Sequence, residues 1–422
     1  MESIPIGTTE VTGSVFNILA EDRRKHMAIF GKSGVGKTTL LRNMIAWDIH
    51  SGLGLTVIDP HGGLIQEVLE LIPRRRTNDV IYLNPYQPDA VLGINVLENI
   101  RADQKPLLVS GLISILKNIW PANWGPRTEY ILQNSAYAVL EQPQPVSLAA
   151  LPRVLTDDQY RKRLLEHVTD PAIQSFFEQY EKQNKKLREE SIAPLLNKVS
   201  KFITNPLLRH VIGQPCSSFD FRWLMDNGKI LLCHLSKGAL GEDVSSLLGS
   251  LIVTKLSLAA LSRQDTPEKE RRPHLLYADE VHNFIHGVDF PTILAGGRKY
   301  PLVVTIATQT MNQLPEKSLA AVFGNCATIM SYRVSGEDAE ILKREFATLL
   351  RASEFQDLPD FKLYVRTLAA GIPTGPHLIK AFPPLAGTGR GNSRERVVRT
   401  SLQRFGQPRH QVETRIRKFF SR

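Results

Sequence analysis

The chain has 422 residues, of which 42% are hydrophobic and 22% charged; this balance is typical of globular proteins and excludes fibrous or largely disordered classes. No run of about eighteen apolar residues occurs and the first residues do not form a secretory signal, so we expect no membrane span and a cytoplasmic location. Three widely separated cysteines (Cys216, Cys233 and Cys326) argue against a disulfide framework or a zinc site.

The most specific motif lies between a predicted strand at 26–30 and a predicted amphipathic helix at 39–49. Gly31-Lys32-Ser33-Gly34-Val35-Gly36-Lys37-Thr38 matches the phosphate-binding loop pattern G-x-x-x-x-G-K-[ST] at every fixed position. In such a loop, backbone N–H groups and a helix N-terminus point at phosphate. We expect this loop and Thr39 to bind the nucleotide, with Lys37 on the β- and γ-phosphates and the Thr38 hydroxyl on Mg²⁺.

A second apolar strand is predicted at 55–59 and ends in Asp59-Pro-His-Gly-Gly63. Asp59 has two interpretations. It is either a ligand of magnesium-bound water at the crevice beyond the strand ends, or a cap for a helix at 64–71, and the sequence slightly favours the cap. A further short strand is predicted at 79–84.

The hydrophobic pattern of the sequence changes between residues 102 and 210. Apolar residues recur there at helical spacing, strand signals are nearly absent, and helices are predicted at 156–168, 171–190 and 191–204. About one hundred helical residues between two β-containing stretches indicate an inserted all-α subdomain.

Strand signals return in the second half of the chain, together with one long apolar helix at 244–261. The predicted strands lie at 229–234, 275–280, 301–308 and 327–332, a helix follows at 336–347, and a hairpin joins 362–368 to 376–382 across 371–375. The first 25 residues give no clear pattern, and a last helix is predicted at 407–420.

Two carboxylates end the apolar strand 275–280. We expect Asp279 to hold Mg²⁺ through its water shell and Glu280 to act as the general base that polarises the attacking water. In an α/β sheet the carboxyl ends of parallel strands meet at one edge, so this pair should face the phosphate loop. Gln309 ends the next strand, where its amide can hydrogen-bond the γ-phosphate or the attacking water.

Two arginines are candidates for a cationic finger, which stabilises charge on the transferred phosphoryl group. Arg298 precedes the Gln309 strand, and Arg333 follows the strand 327–332. Either could equally be a surface residue.

Taken in order, these motifs resemble the HerA/FtsK superfamily of ring-forming DNA-pumping ATPases, most closely the soluble ATPase domain of type IV secretion (conjugative) coupling proteins and their HerA-like relatives. The matching segments are 27–39, 57–63, 124–127, 276–280, 297–299, 307–309 and 332–338. The helical insert also looks like the all-α domain of coupling proteins. We recognise neither the transmembrane segment of anchored coupling proteins nor a HerA-type β-barrel before the loop.

The resemblance implies a RecA-like P-loop core with a mostly parallel sheet, a homo-hexameric ring and nucleotide sites between subunits. It implies that Arg298 acts on the neighbouring subunit's nucleotide, that Gln309 is a sensor, and that Arg333 is a second trans arginine. We predict an ATPase core at 1–101 and 211–385, the all-α insert at 102–210 and a basic tail at 386–422.

Charge is concentrated in that tail. The net charge is +10, and residues 385–422 hold +8 of it, with ten Lys or Arg against two Glu. A basic tail favours contact with nucleic acid or another polyanion, although a solvated surface or a subunit-contacting helix is an equally good interpretation of the tail alone.

The function predicted is an ATP-driven DNA translocase that uses ATP and Mg²⁺, contacts DNA without sequence preference and works with a relaxase, nuclease or secretion-channel partner. The first alternative is a secretion-system ATPase that powers protein export or apparatus assembly. The second is a nucleotide-dependent switch or scaffold. The lack of an N-K-x-D motif disfavours a GTPase.

Overall fold

The computed structural model describes residues 3–122, 124–297, 299–346, 350–387 and 393–421. Its strands are β1 (Ser3–Thr9), β2 (Val15–Leu19), β3 (Met27–Phe30), β4 (Gly54–Asp59), β5 (Val80–Leu83), β6 (Ala90–Val91), β7 (Ile230–His234), β8 (His274–Ala278), β9 (Leu302–Thr308), β10 (Thr328–Ser331), β11 (Lys362–Ala369), β12 (Ile372–Ala381) and β13 (Gln407–Pro408). Its first helices are α1 (Ala20–Arg23), α2 (Lys37–His50), α3 (Gly63–Leu71), α4 (Lys105–Ile119), α5 (Pro126–Leu140), α6 (Ala150–Thr156), α7 (Asp158–Leu165), α8 (Pro171–Lys182), α9 (Lys185–Val199), α10 (Lys201–Thr204) and α11 (Pro206–Ile212). The remaining helices are α12 (Phe221–Asp226), α13 (Lys237–Leu240), α14 (Glu242–Ser262), α15 (His282–Ile285), α16 (Phe290–Gly296), α17 (Glu316–Asn325), α18 (Gly336–Glu345), α19 (Ala352–Gln356), α20 (Ser393–Phe405) and α21 (Arg409–Ser421).

One large sheet organises these elements. Within the described residues its order is β2-β1-β12-β11-β10-β3-β9-β8-β4-β7-β5. The seven strands from β10 to β5 run parallel, and β11, β12, β1 and β2 extend the sheet as antiparallel strands. The predicted α/β class with a mostly parallel sheet is confirmed. Because β3, β9, β8 and β4 are consecutive and parallel, the segments that follow them leave from the same edge.

Both faces of the sheet are covered, so its central strands are buried along their whole length. Along β3, Ala28 and Phe30 point into one core while Met27 and Ile29 point into the other. Helices α2 and α3 pack in the second core. The first core is shared with the helical insert.

The stretch from β6 to β7 contains only helices in its described part, as the sequence predicts. Its buried leucines, such as Leu112 and Leu132, belong to the same apolar core as Phe30 and Ile58 of the sheet. Since insert and sheet share a core, the proposed boundaries at 102 and 210 stay a prediction.

Helix α14 is the long apolar helix of the second half. By length and composition the segment Glu242–Asp265 could cross a bilayer, and 78% of its most apolar window is buried inside the fold. Burial of that extent is typical of a core helix. The sequence predicts this helix at 244–261 but shows no membrane-spanning run in it, because serines, a threonine, a glycine and Lys255 interrupt its apolar residues.

Several sequence expectations were wrong in detail. Helix α2 is buried around most of its circumference and is not amphipathic. The helix predicted at 171–190 is two helices, because the Asn184 side chain accepts a hydrogen bond from Lys186 N and starts α9. The hairpin turns at Ala370 and Gly371, and 372–375 belongs to β12.

Elements that the sequence did not predict include the hairpin β1–β2, helix α20 and the β13–β6 pair. In β1, Ile4 and Ile6 alternate into the core, but Pro5 obscures the strand pattern. The register of β1 against β2 shifts between Pro5 and Gly7, which is where a proline is tolerated. Helix α20 packs on β5 and α3, so part of the basic tail belongs to the folded core.

A buried ion pair ties the helix after the phosphate loop to the strand before the carboxylates. Arg23 donates to both Asp48 oxygens at 2.7 and 2.8 Å and to the Tyr277 hydroxyl at 2.8 Å, while that hydroxyl donates to Asp48. Arg23 and Asp48 have side chains 7% and 3% exposed. Asp48 lies on α2 and Tyr277 on β8, so this cluster fixes the two halves of the site relative to each other.

Replacing Asp48 by Ala is expected to lower the free energy of unfolding by about 3–5 kcal/mol, because it leaves the Arg23 guanidinium buried and unpaired. Urea titration measures the loss. The matched control is Glu189→Ala, which removes the exposed 4.0 Å pair with Lys185 and should change stability little. Equal stability of Asp48→Ala and wild type would show that the cluster does not hold the two elements together.

Candidate active site

The phosphate loop is held from both sides by its neighbouring strands. Gly31 N donates to Thr308 O of β9 at 3.3 Å, and Lys32 N donates to Arg333 O after β10 at 2.8 Å. Gly34 and Gly36 have φ of +80° and +116°, which L-residues with side chains rarely adopt. The strand, loop and helix therefore stand as the motif predicts, with Thr38 exposed in the first turn of α2.

Lys37 lies across this loop and faces the carboxylates. Its Nζ donates to Gly31 O at 2.5 Å and Lys32 O at 3.0 Å, and lies 3.9 Å from Glu280 Oε1. Burial lowers the pKa of the Lys37 ammonium, and the charges of Glu280 and Asp279 oppose that shift. The phosphate loop and the acid pair, far apart in sequence, thus meet at one edge of the sheet.

The two carboxylates follow β8 directly. Asp279 N donates to Ile58 O of β4 at 3.2 Å, and Val281 N donates to Ala307 O of β9 at 3.0 Å. Between them, Glu280 adopts φ +46°, a left-handed conformation that is uncommon outside glycine and is found at functional sites. Glu280 is 5% exposed, and its Oε2 has no hydrogen-bond partner in the described structure. Such a buried acceptor is suited to a water molecule or another polar ligand.

Asp279 lies in strongly negative surroundings. Burial, together with the nearby charges of Glu280 and Asp59, raises the pKa of Asp279 to about 7, while Lys37 opposes the rise. A divalent cation at this edge would keep Asp279 ionised. The location agrees with the predicted magnesium role, which stays a prediction.

The oxygen groups at this edge fit a magnesium ion bound together with a nucleotide. Asp279 offers a carboxylate and Thr38 a hydroxyl, and Mg²⁺ prefers such hard oxygen ligands. Among the described residues no three His, Cys, Asp or Glu side chains form a ready-made metal cage. This suits an ion that takes its remaining ligands from phosphate and water.

Asp59 combines features of both interpretations. Its Oδ1 accepts from His61 N at 2.8 Å and its Oδ2 from Ile65 N at 3.1 Å, so it satisfies a free N–H in the first turn of α3. The cap position itself is Gly62. Asp59 also contributes to the electrostatic environment of Asp279, so it lies near the proposed magnesium site as well.

The remaining predicted residues lie at different places. Gln309 directly follows Thr308, whose carbonyl accepts from Gly31, so the structure brings it beside the loop. Arg333 also lies beside its own loop, and its side chain pairs with Asp360 at 2.8 Å. The role of Arg333 as a trans arginine stays a prediction. Arg298 lies outside the described residues.

Sequence reasoning missed two residues at this site. His282 Nδ1 lies 3.6 Å from Glu280 Oε2, and its place two residues after Glu280 was a usable signal. Phe361 N donates to Val35 O of the loop at 2.9 Å. No sequence signal connects Phe361 to a loop so far away in the chain.

Comparison with known proteins identifies the family of this chain. The family model described as the central domain of helicase HerA matches residues 6–257, more than half of the chain. The chain belongs to this family. Residues 273–350 match a second model, described as the TraM recognition site of TraD and TraG. In this chain that segment includes the buried strands β8, β9 and β10, so it builds the half of the sheet that carries Asp279 and Glu280.

Solved structures share the fold at low sequence identity. The plasmid coupling protein TrwB in complex with ADP and Mg²⁺ is 19% identical, with 93% of each chain covered and a TM-score of 0.60. The TrwB complex with a non-hydrolysable ATP analogue gives the same values. VirB4 of Thermoanaerobacter pseudethanolicus is 14% identical, with 90% of this chain and 96% of that chain covered and a TM-score of 0.61. No curated protein sequence matches the chain.

These likenesses confirm the predicted RecA-like P-loop core and the predicted resemblance to HerA-type and coupling-protein ATPases. The bound nucleotide and Mg²⁺ belong to the TrwB structures.

Proposed function

We propose that this chain is an ATP hydrolase that moves DNA through a ring of identical subunits. The observation that carries the proposal is the 3.9 Å approach of Lys37 Nζ to Glu280 Oε1 at the carboxyl edge of the parallel sheet. This proximity supports a site in which a lysine that binds phosphate and a buried carboxylate that can accept a proton act on the same phosphoryl group.

The roles follow from position. The N–H groups of the loop and Lys37 bind the β- and γ-phosphates, and Glu280 accepts a proton from the water that attacks the γ-phosphorus. When bound, Mg²⁺ would neutralise charge on the phosphate oxygens, held by Thr38 and, through water, by Asp279. Gln309 orients the water or the γ-phosphate. A positive side chain from the next subunit, Arg298 in our proposal, completes the site.

DNA as the moved polymer is supported by charge and by fold. Part of the basic tail forms hydrogen bonds with the rest of the chain. Arg409 of the tail donates to Gln87 O, and Phe419 O of the tail accepts from Arg153. Other cations of α21 (Arg415, Arg417 and Lys418) are exposed and can contact phosphates without reading bases. A coupling protein of plasmid conjugation shares the fold, which supports a hexameric motor with a relaxase, nuclease or secretion-channel partner.

A secretion-apparatus ATPase remains the second candidate, because VirB4 shares the fold to the same extent as TrwB, with TM-scores of 0.61 and 0.60, at 14% against 19% identity. The third reading is a nucleotide-dependent switch or scaffold. It predicts slow hydrolysis by a monomer.

DNA-stimulated ATP hydrolysis separates these candidates. We expect phosphate release to rise several-fold when duplex or single-stranded DNA is added, and the stimulation to fall as salt rises, since phosphate contacts release counterions. Heparin, a polyanion that is not DNA, is the control for stimulation by negative charge alone. Turnover unchanged by both forms of DNA would reject the DNA motor in favour of the secretion ATPase.

A further inference from the structure

The phosphate loop has two sides, and the carboxylates mark only one of them. Strands β9 and β8 lie on one side of β3, so the contact between Lys37 and Glu280 shows where a γ-phosphate would sit. Strand β10 lies on the other side. A nucleotide with its γ-phosphate toward β8 therefore extends its base toward the β10 side. This orientation rests on the ATP hydrolase function proposed above.

A phenylalanine from the distant turn before β11 lies against this loop. Phe361 N donates to Val35 O at 2.9 Å, and Phe361 O accepts from Ala381 N at 2.8 Å. The ring packs on Gly36, since a β-carbon placed on Gly36 would lie 2.9 Å from Phe361 Cδ1. The backbone thus fixes an aromatic ring directly at the end of the phosphate loop.

Phe361 is unusual in both exposure and conformation. It is 45% exposed, and it alone is exposed among the phenylalanines whose side chains the structure describes. Its φ is +64°, a left-handed value that is rare for a bulky residue. A conformation of that kind costs free energy and persists where surrounding contacts enforce it, commonly at ligand sites. The Phe361 ring is therefore exposed beside the phosphate loop and is not part of the hydrophobic core.

A charged pair borders the ring on the β10 side. Arg333 Nη2 donates to Asp360 Oδ1 at 2.8 Å and Nη1 donates to Leu358 O at 3.2 Å. The Arg333 backbone carbonyl accepts from Lys32 N of the loop. The Arg333 and Asp360 side chains, 36% and 51% exposed, remain accessible to a ligand.

We propose that Phe361 is the stacking partner for the purine base of the bound nucleotide, with the Arg333–Asp360 pair at the edge of the base. An aromatic face stacks on any purine without reading its polar edge. The site is therefore expected to bind a purine nucleotide such as ATP better than one with a smaller pyrimidine base. Phe361 acts in binding and takes no part in the proton transfer.

The test compares a nucleotide with its phosphate part alone. Isothermal titration calorimetry with Mg²⁺ present measures the affinity of wild type and Phe361→Ala for ATP, CTP and inorganic tripolyphosphate. Loss of base stacking should weaken ATP binding roughly 5- to 100-fold. Tripolyphosphate affinity should stay within twofold of wild type, and the advantage of ATP over CTP should shrink.

Three further variants keep the result interpretable. Phe361→Tyr should retain ATP affinity. Phe361→Leu should keep the apolar contact with Gly36 but bind ATP as weakly as Phe361→Ala. Lys37→Ala should weaken the binding of ATP and of tripolyphosphate together. Unchanged ATP binding by Phe361→Ala, or an equal loss for ATP and tripolyphosphate, would overturn the stacking role. Wild type that binds neither ligand would instead overturn the ATP hydrolase function, and the stacking role with it.

Discussion

Glu280→Gln should bind ATP at least as tightly as wild type while its steady-state turnover falls by about 10²–10⁴-fold, the usual contribution of a general base. The amide keeps the size of the side chain and cannot accept a proton from water. It also removes a negative charge 3.9 Å from Lys37 Nζ, next to the place of the γ-phosphate. Phosphate release and a binding isotherm, measured on the same preparation, separate the two effects.

The control for this prediction is Glu189→Gln, which makes the same chemical change on the exposed surface of α9. It should leave both turnover and affinity unchanged. Full activity of Glu280→Gln would refute the base assignment. A parallel loss of affinity and turnover would instead indicate that Glu280 supports the loop.

Arg298→Ala should lower turnover by about 10³–10⁵-fold and leave ATP affinity nearly intact, as expected for a cationic finger. Action of Arg298 on another subunit is a prediction, motivated by the place of its neighbour in sequence, Gly297. Gly297 packs against His26, which precedes β3, so this segment lies at the amino ends of β3 and β9. The subunit's own phosphate loop follows the carboxyl end of β3, at the opposite edge of the sheet.

Mixing tests this arrangement directly. Each Arg298→Ala subunit keeps Glu280, and each Glu280→Gln subunit keeps Arg298, so a mixed ring contains some complete sites if the arginine acts in trans. We expect partial recovery of turnover in the mixture and none in either variant alone. Lys299→Ala is the neighbouring-cation control and should stay active. An inactive mixture of folded, co-assembled subunits would contradict the trans assignment.

The sequence predicted the parts of the site whose signals are local. A strand, a glycine-rich loop and a helix are consecutive in the chain, and so are β8 and its two acids. Their meeting could also be inferred, because parallel strands bring their carboxyl ends to one edge.

The features that the sequence missed depend on contacts between distant segments. The pairing of Arg23 with Asp48 and Tyr277 joins three elements, and each residue alone reads as an ordinary charged or aromatic position. The place of Phe361 depends on a hydrogen bond to Val35 that no periodicity encodes. The polar residues Arg42, Asn43 and Asp48 predict an amphipathic helix α2. Tertiary contacts bury all three.

The structure separates Arg333 from the residues that flank Arg298, which the sequence could not do. Arg333 borders its own loop and pairs with Asp360, whereas the residues that flank Arg298 lie at the far edge of the sheet. Sheet order, which follows only from the fold, supplies this distinction.

A single-turnover experiment tests most directly whether Glu280 cleaves a triphosphate that Lys37 holds. Radiolabelled ATP is bound with Mg²⁺ to wild type and to Glu280→Gln, a large excess of unlabelled ATP is added, and the label is followed as ATP or ADP. The wild-type chain should convert bound label to ADP before releasing it, and Glu280→Gln should release it as intact ATP. Conversion by Glu280→Gln at the wild-type rate would contradict the account.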